Sequence, residues 1–342
     1  MDTTRTQTQV QAALAAVESD AATTIEKIDM LAEIAMGLQT RPKDRADLEA
    51  AIRLYDVALD LCPDDDALMR ARLTARKGTA YQAVPNETAE PLEQARECLM
   101  AAVPILSREG TPEEAAEGEL NLGLVLQSLA SAGRARITDA ISAYQRALRT
   151  FDRKAHPKEF AILQNNLATA FLSIPFTDER SKMREAMAVR AFEDGLEVVN
   201  ILDHPSEYAM LQNNLGNALQ YASSSHAVEN NLRALEAYDE ALKVRTRDTT
   251  PLEYANTLSN KANCLSNLPD DPEDPEKGNK DNLTAARALY QEAREIFAER
   301  EDVEKARLVG EALTHIAAEL DGARSRAYGD ISAFAPNGSG HG

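Results

Sequence analysis

One segment of this chain repeats. HPKEFAILQNNLATAFL, beginning at His156, returns without a gap as HPSEYAMLQNNLGNALQ from His204 and as TPLEYANTLSNKANCLS from Thr250. A fourth copy, TPEEAAEGELNLGLVLQ from Thr111, shares the frame. Self-similarity at a fixed period is the signature of a stacked array, whose units bury their apolar faces only against their neighbours. Prolines mark the period: Pro63, Pro112, Pro157, Pro205 and Pro251 are 49, 45, 48 and 46 residues apart. Each follows a turn residue and precedes a periodic apolar run. That pattern predicts the first position of a helix, where a missing N–H costs nothing.

Inside these segments the apolar spacing is helical. Phe160, Leu163, Leu167 and Phe171 make one stripe, and Tyr208, Leu211, Leu215 and Leu219 make the same stripe one repeat later. A small residue follows the central leucine, as Gly123, Ala168 or Gly216, and lets another helix approach closely. A second kind of helix comes after each of the first, with alanine, an aromatic four residues on, and alanine three further on. Ala51, Tyr55 and Ala58 form one instance. Ala140, Tyr144 and Ala147, then Ala234, Tyr238 and Ala241, then Ala286, Tyr290 and Ala293, form the others; Ala188, Phe192 and Gly195 depart mildly.

The Leu-Gly pair in the first helix (helix A) and the Ala-x3-aromatic-x2-Ala pattern in the second (helix B) resemble the tetratricopeptide repeat family. The resemblance covers residues 20–320 and is nearest to bacterial variants with long repeats and an NNLG helix A; kinesin light chains are looser relatives. Two features depart from the family: the period exceeds its usual 34 or so residues, and Gln164, Gln212 or Glu119 stands where it carries a bulky aromatic. The resemblance implies an all-α fold, a right-handed α-solenoid of about six helical hairpins with an extra N-terminal helix and a C-terminal capping helix. Helices A are expected to begin near 22, 65, 112, 157, 205 and 251, and helices B near 44, 90, 135, 182, 228 and 281. The first and last helices are placed at 4–18 and 302–321. Residues 1–321 then form one solenoid domain, and 322–342, ending APNGSGHG, a disordered tail.

Composition fits thin layers of close-packed helices: 44% of residues are hydrophobic, yet aromatics make up only 5% and tryptophan is absent. A formal charge of −19 opposes generic binding to nucleic acid or anionic membranes, which needs Lys and Arg, and is compatible with a basic partner or simply with solubility. Cys62, Cys98 and Cys264 are odd in number and form no CxxC pair, which fits a reducing compartment. With no apolar signal core or run of about 18 apolar residues, the expected location is cytoplasmic. No Gly-rich phosphate loop, nucleophile elbow, HExxH or Ser/His/Asp cluster occurs. The expectation is therefore a non-catalytic chain without cofactor or metal.

Asparagines carry the best candidate site. Asn121, Asn166, Asn214 and Asn260 recur nine residues after the proline in four repeats. At about 100° per residue they lie on the flank of the core stripe, where they suit ties between helices. Asn165, Asn213, Asn217 and Asn263 fall opposite the stripe, on the face that the resemblance implies is a concave groove. An amide offers donor and acceptor groups together, so such a row suits the main chain of an extended peptide. Ser259, Gln220 and Tyr221 are expected along the same surface, and Arg72 and Arg76 at its edge, where they suit a carboxylate. The full cation set of the chaperone-binding relatives is missing. His156 and His204, 48 residues apart, read as helix-start residues, and the three cysteines as small buried ones. The leading expectation is a scaffold or adaptor holding an extended peptide or partner protein in the groove. The alternatives are a peptide- or metabolite-responsive regulator and a non-catalytic accessory subunit of an enzyme.

Overall fold

The computed structural model describes residues 3–18, 22–85, 88–174, 179–222 and 226–332. Among them it contains fourteen α-helices and no strand. The chain divides into two compact units, Met1–Pro175 and Phe176–Gly342. Unit 1 holds α1 (Thr3–Val17), α2 (Thr24–Thr40), α3 (Arg45–Leu61), α4 (Ala67–Ala83), α5 (Glu90–Glu109), α6 (Pro112–Ser131), α7 (Ile137–Ala147) and α8 (Pro157–Leu172). Unit 2 holds α9 (Glu179–Leu196), α10 (Pro205–Gln220), α11 (Ala227–Leu242), α12 (Pro251–Ser266), α13 (Lys280–Glu299) and α14 (Val303–Ser332). Within each unit consecutive helices pack as hairpins, α2 with α3, α4 with α5, α6 with α7, α10 with α11 and α12 with α13, and each hairpin packs on the next. This is an all-α helical-repeat architecture, and the twelve helices of the six expected pairs start within three residues of their expected positions. No helix among the described residues is long and apolar enough to cross a membrane.

Prolines set the helix starts as expected in four repeats. Pro112, Pro157, Pro205 and Pro251 occupy the first turn of their helices. His156, His204 and Thr250 precede three of them with extended φ near −134°, −138° and −140°. Pro63 departs from the pattern: it lies in the loop, and Asp66 starts α4 by accepting the Met69 N–H at 2.9 Å. A side-chain acceptor there satisfies a free amide directly, so the helix begins at the aspartate instead. The helix expected to stop at 321 continues to Ser332. The remainder of the expected tail, residues 333–342, lies outside the described residues.

Each hairpin closes around the alanine–aromatic pattern. Ala51, Ala58, Ala140, Ala147, Ala234, Ala241, Ala286 and Ala293 are all buried, as are Tyr55, Tyr144, Tyr238 and Tyr290. The small residue of helix A makes room for the ring of helix B. A Cβ on Gly123 would overlap the Tyr144 ring, and one on Gly216 would lie 2.6 Å from the Tyr238 ring. Non-bonded carbons need about 3.5 Å or more, so only glycine fits there. Cys62 and Cys264 are buried, Cys98 is half-buried, and all three are free thiols.

Candidate functional site

Helices A of three successive repeats, α2, α4 and α6, wall a cavity of about 390 Å³ in unit 1. Its base is a chain of hydrogen bonds. The buried Tyr55 hydroxyl donates to Gln39 Oε1 at 3.2 Å, Gln39 Nε2 donates to Thr79 Oγ1 at 2.7 Å, and Thr79 Oγ1 donates to the Arg76 carbonyl at 2.8 Å. The same relay recurs two hairpins later, from Tyr144 to Gln127 (2.8 Å), Thr169 (3.1 Å) and the Asn166 carbonyl (3.0 Å). Glutamine is the sixteenth residue of its helix in both cases, and threonine the thirteenth of the next helix A. The relay needs both residues: the same positions of α4 and α6 hold Gln82 and Leu124.

The cavity wall carries two arginines of different status. Arg72 forks onto Glu114, Nε to Oε1 at 2.7 Å and Nη2 to Oε2 at 3.1 Å, tying α4 to α6. That bond, the Thr111 N–H at 2.9 Å and the nearby Arg76 charge hold the Glu114 carboxyl below its ordinary range. Arg76 is exposed, and its guanidinium makes no hydrogen bond or ion pair among the described residues. Burial pushes the Tyr55 hydroxyl up to about 12, with the Arg76 charge acting in the opposite sense. Met36, Ala75 and Leu106 add apolar wall, and Asn121 an amide. Arg72 and Arg76 thus border one cavity, but Arg72 already has a carboxylate from within the chain. Sequence reasoning missed Glu114; its signal was the Thr111-x-x-Glu114 capping box, which places that carboxylate at the start of α6.

The asparagines sit differently from their expected placement. Asn213 is 7% exposed, as is Asn165, so neither faces open solvent. In unit 2, Asn213 Nδ2 donates to Asn214 Oδ1 at 3.0 Å, and its own Oδ1 accepts from Asn260 Nδ2 at 3.2 Å, joining α12 to α10. In unit 1, Asn165 Nδ2 donates to Asn166 Oδ1 at 3.2 Å. The helical-wheel argument counts one packed side, but α10 packs on α9, α11 and α12, which covers the position opposite the core stripe. Asn260, on the flank, ties helices together as its position suggested. Ser259 spends its hydroxyl on the Ala255 carbonyl at 2.9 Å.

Asn217, Gln220, Tyr221 and Asn263 do come together in unit 2. The one proton of the buried Tyr238 hydroxyl is shared between Asn217 Oδ1 (2.7 Å) and Gln220 Oε1 (2.9 Å), while Asn263 Nδ2 donates to the exposed Tyr221 hydroxyl at 2.8 Å. Gln220 and Asn263 occupy the relay positions held by Gln127 and Thr169 in unit 1. Here the relay is broken: Asn263 turns to Tyr221, and the buried Gln220 Nε2 has no partner. No group of His, Cys, Asp and Glu that could hold a metal occurs among the described residues.

No protein-family model matches this chain, and no curated protein does. Among solved structures it is similar to a Rap protein complexed with competence and sporulation factor, at 13% identity over 88% of this chain and 78% of that one, with a TM-score of 0.46. It is also similar to BtubC (BKLC) from P. vanneervenii, at 17% identity over 94% of this chain and 97% of that one, with a TM-score of 0.37. Likeness at this level carries no argument about this chain.

Proposed function

We propose that the chain is a tetratricopeptide-type interaction module without catalytic activity, and that it holds an extended segment of a partner protein along helices α2, α4 and α6. The observation that carries this reading is the Arg76 guanidinium, an exposed cation without a pairing partner at the wall of a cavity of about 390 Å³. A cavity of that size suits a short stretch of chain. The Asn121 amide offers a donor and an acceptor to a ligand main chain, and Met36 and Leu106 offer apolar contact. Arg76 then takes a ligand carboxylate, the role that Glu114 fills for Arg72.

Native mass spectrometry of freshly purified protein identifies what co-purifies, and a co-purifying polypeptide is the expected result. A small metabolite mass in its place favours the regulator reading. Charge-assisted bonds contribute roughly 1.5–3 kcal/mol, so Arg76→Ala should weaken that partner about ten- to a hundredfold while leaving the helical spectrum intact. An unchanged affinity in a folded variant removes this groove from consideration.

A further inference from the structure

A second cavity in unit 1, open and about 960 Å³, lies between helices B of consecutive repeats, α5 and α7, over α6 and the turn that joins α6 to α7. Four guanidinium groups converge on it: Arg96 from α5, Arg134 and Arg136 from the turn, and Arg146 from α7. With the four carboxylates around them, Glu93, Glu97, Glu119 and Asp139, the cluster is neutral in a chain of net charge −19.

The carboxylates that hold these arginines sit deeper than the arginines do. Glu119 forks onto Arg146 at 2.6 and 2.7 Å, and its side chain is 12% exposed against 43% for the arginine. Glu93 is 22% exposed and serves both Arg96 at 2.5 Å and the 59% exposed Arg134 at 3.9 Å. Neither Glu93 nor Glu119 lines the cavity, whereas Glu97 and Asp139 do. The lining therefore presents four cations against two anions, with the other two carboxylates behind, orienting the guanidiniums. Arg134 shares its carboxylate at long range, and the exposed Arg136–Asp139 pair is a surface ion pair that exchanges partners at little cost. Between the charges the floor is apolar, with Leu122 and Leu126 under the 58% exposed Met100.

From this arrangement we infer a docking site for an acidic segment of a partner protein, one in which carboxylates flank a large apolar side chain. The carboxylates meet Arg134 and Arg136, and the apolar side chain lies against Met100, Leu122 and Leu126. No residue of this cavity belongs to the groove of α2, α4 and α6.

The probe is a fluorescein-labelled nine-residue peptide of three Glu-Glu-Leu units, titrated by anisotropy into the full chain at low salt. Removing one guanidinium should cost about tenfold in affinity. Arg134→Glu with Arg136→Glu should therefore weaken binding about a hundredfold or more, with the helical spectrum unchanged because both side chains are exposed. Arg76→Ala should leave it unchanged, and serine in place of each leucine should weaken it. The proposal is overturned if the wild-type chain fails to bind the peptide, or if the double variant binds it equally well. It is also overturned if Arg76→Ala weakens binding, which assigns the peptide to the other groove, or if inorganic phosphate displaces it as well as unlabelled peptide does, which leaves only a general oxyanion site.

Discussion

The same substitution, glycine to alanine, should act with opposite signs at two positions of unit 1. At Gly123 an added Cβ overlaps Tyr144 Cε1 and lies 2.6 and 3.0 Å from Cδ1 and Cζ. Contact distance between carbons is about 3.5 Å, so the ring has to retreat by about 1 Å. Tyr144 is fully buried and has nowhere to go without moving α7. Overpacking of this kind costs about 1–3 kcal/mol. Displacing the hydroxyl from Gln127 costs about 1 kcal/mol more. Against this stands the better helix propensity of alanine, about 1 kcal/mol. The net expectation for Gly123→Ala is a loss of about 1–3 kcal/mol. Gly37 is exposed in the last turn of α2, and a Cβ there meets nothing within 4 Å. Only the propensity remains, so Gly37→Ala should gain about 0.5–1 kcal/mol. Urea denaturation of the full chain, followed by far-ultraviolet circular dichroism, reads both as shifts of midpoint. A neutral Gly123→Ala, or two variants that shift the same way, would refute the claim that Tyr144 is wedged against Gly123.

Four further outcomes are expected. Asn213→Ala should lower the melting temperature and cost about 1–3 kcal/mol, because it leaves Asn260 without its acceptor; a silent substitution would show that the bond between α12 and α10 contributes nothing. Gln127→Leu should cost about 1–3 kcal/mol by stranding the Tyr144 hydroxyl. Gln220→Leu should be close to neutral, since it removes an unpartnered donor and leaves Tyr238 bonded to Asn217; equal losses in the two melting curves would contradict the broken relay. Burial raises the hydroxyls of Tyr55, Tyr144, Tyr238 and Tyr290, the first and last to about 12, whereas unfolded tyrosine ionises near 10. The folded state then keeps protons that the unfolded state gives up. This contribution to stability is fully present below pH 10 and drains away as pH rises through the window from 10 to 12 and beyond. Tyrosinate absorbance from these residues should appear together with loss of helix, and their ionisation in an intact fold would count against their burial.

Much of the architecture was legible because it rests on local chemistry. Prolines at helix starts and a helical apolar period act within one element, and they placed α6, α8, α10 and α12 correctly. Pro63 misled because Asp66, three residues on, supplies a cap that proline cannot. Gly123 and Gly216 were recognised as close-approach positions; that they admit Tyr144 and Tyr238 depends on the partner helix. The asparagine row was read half correctly. Asn260 ties helices, as its flank position suggested, but Asn213 is drawn into the same tie, since the wheel of one helix carries no information about a third helix packed on it. Gln39, Gln127 and Gln220 each lie sixteen residues into their helices, a period visible in the sequence, and their role emerges only when the tyrosine of helix B and the next helix A are placed beside them.

The tyrosine–glutamine–threonine relay has a consequence for how such a chain can be cut and rejoined. Its donors all point one way, from one hairpin to the helix A that follows, at the joins of α2 with α4 and of α6 with α8, where glutamine is answered by threonine at the thirteenth position; between them, Gln82 is followed by Leu124. Duplicating or deleting a hairpin keeps those two bonds only if the matched pair travels together; a threonine spliced after a repeat that lacks the glutamine keeps only the bond to its own helix. Recombination within this gene is therefore not free at every repeat boundary. Length can change more easily at joins without the matched pair, as between α10 and α12, where Asn263 bonds Tyr221 instead of the glutamine before it.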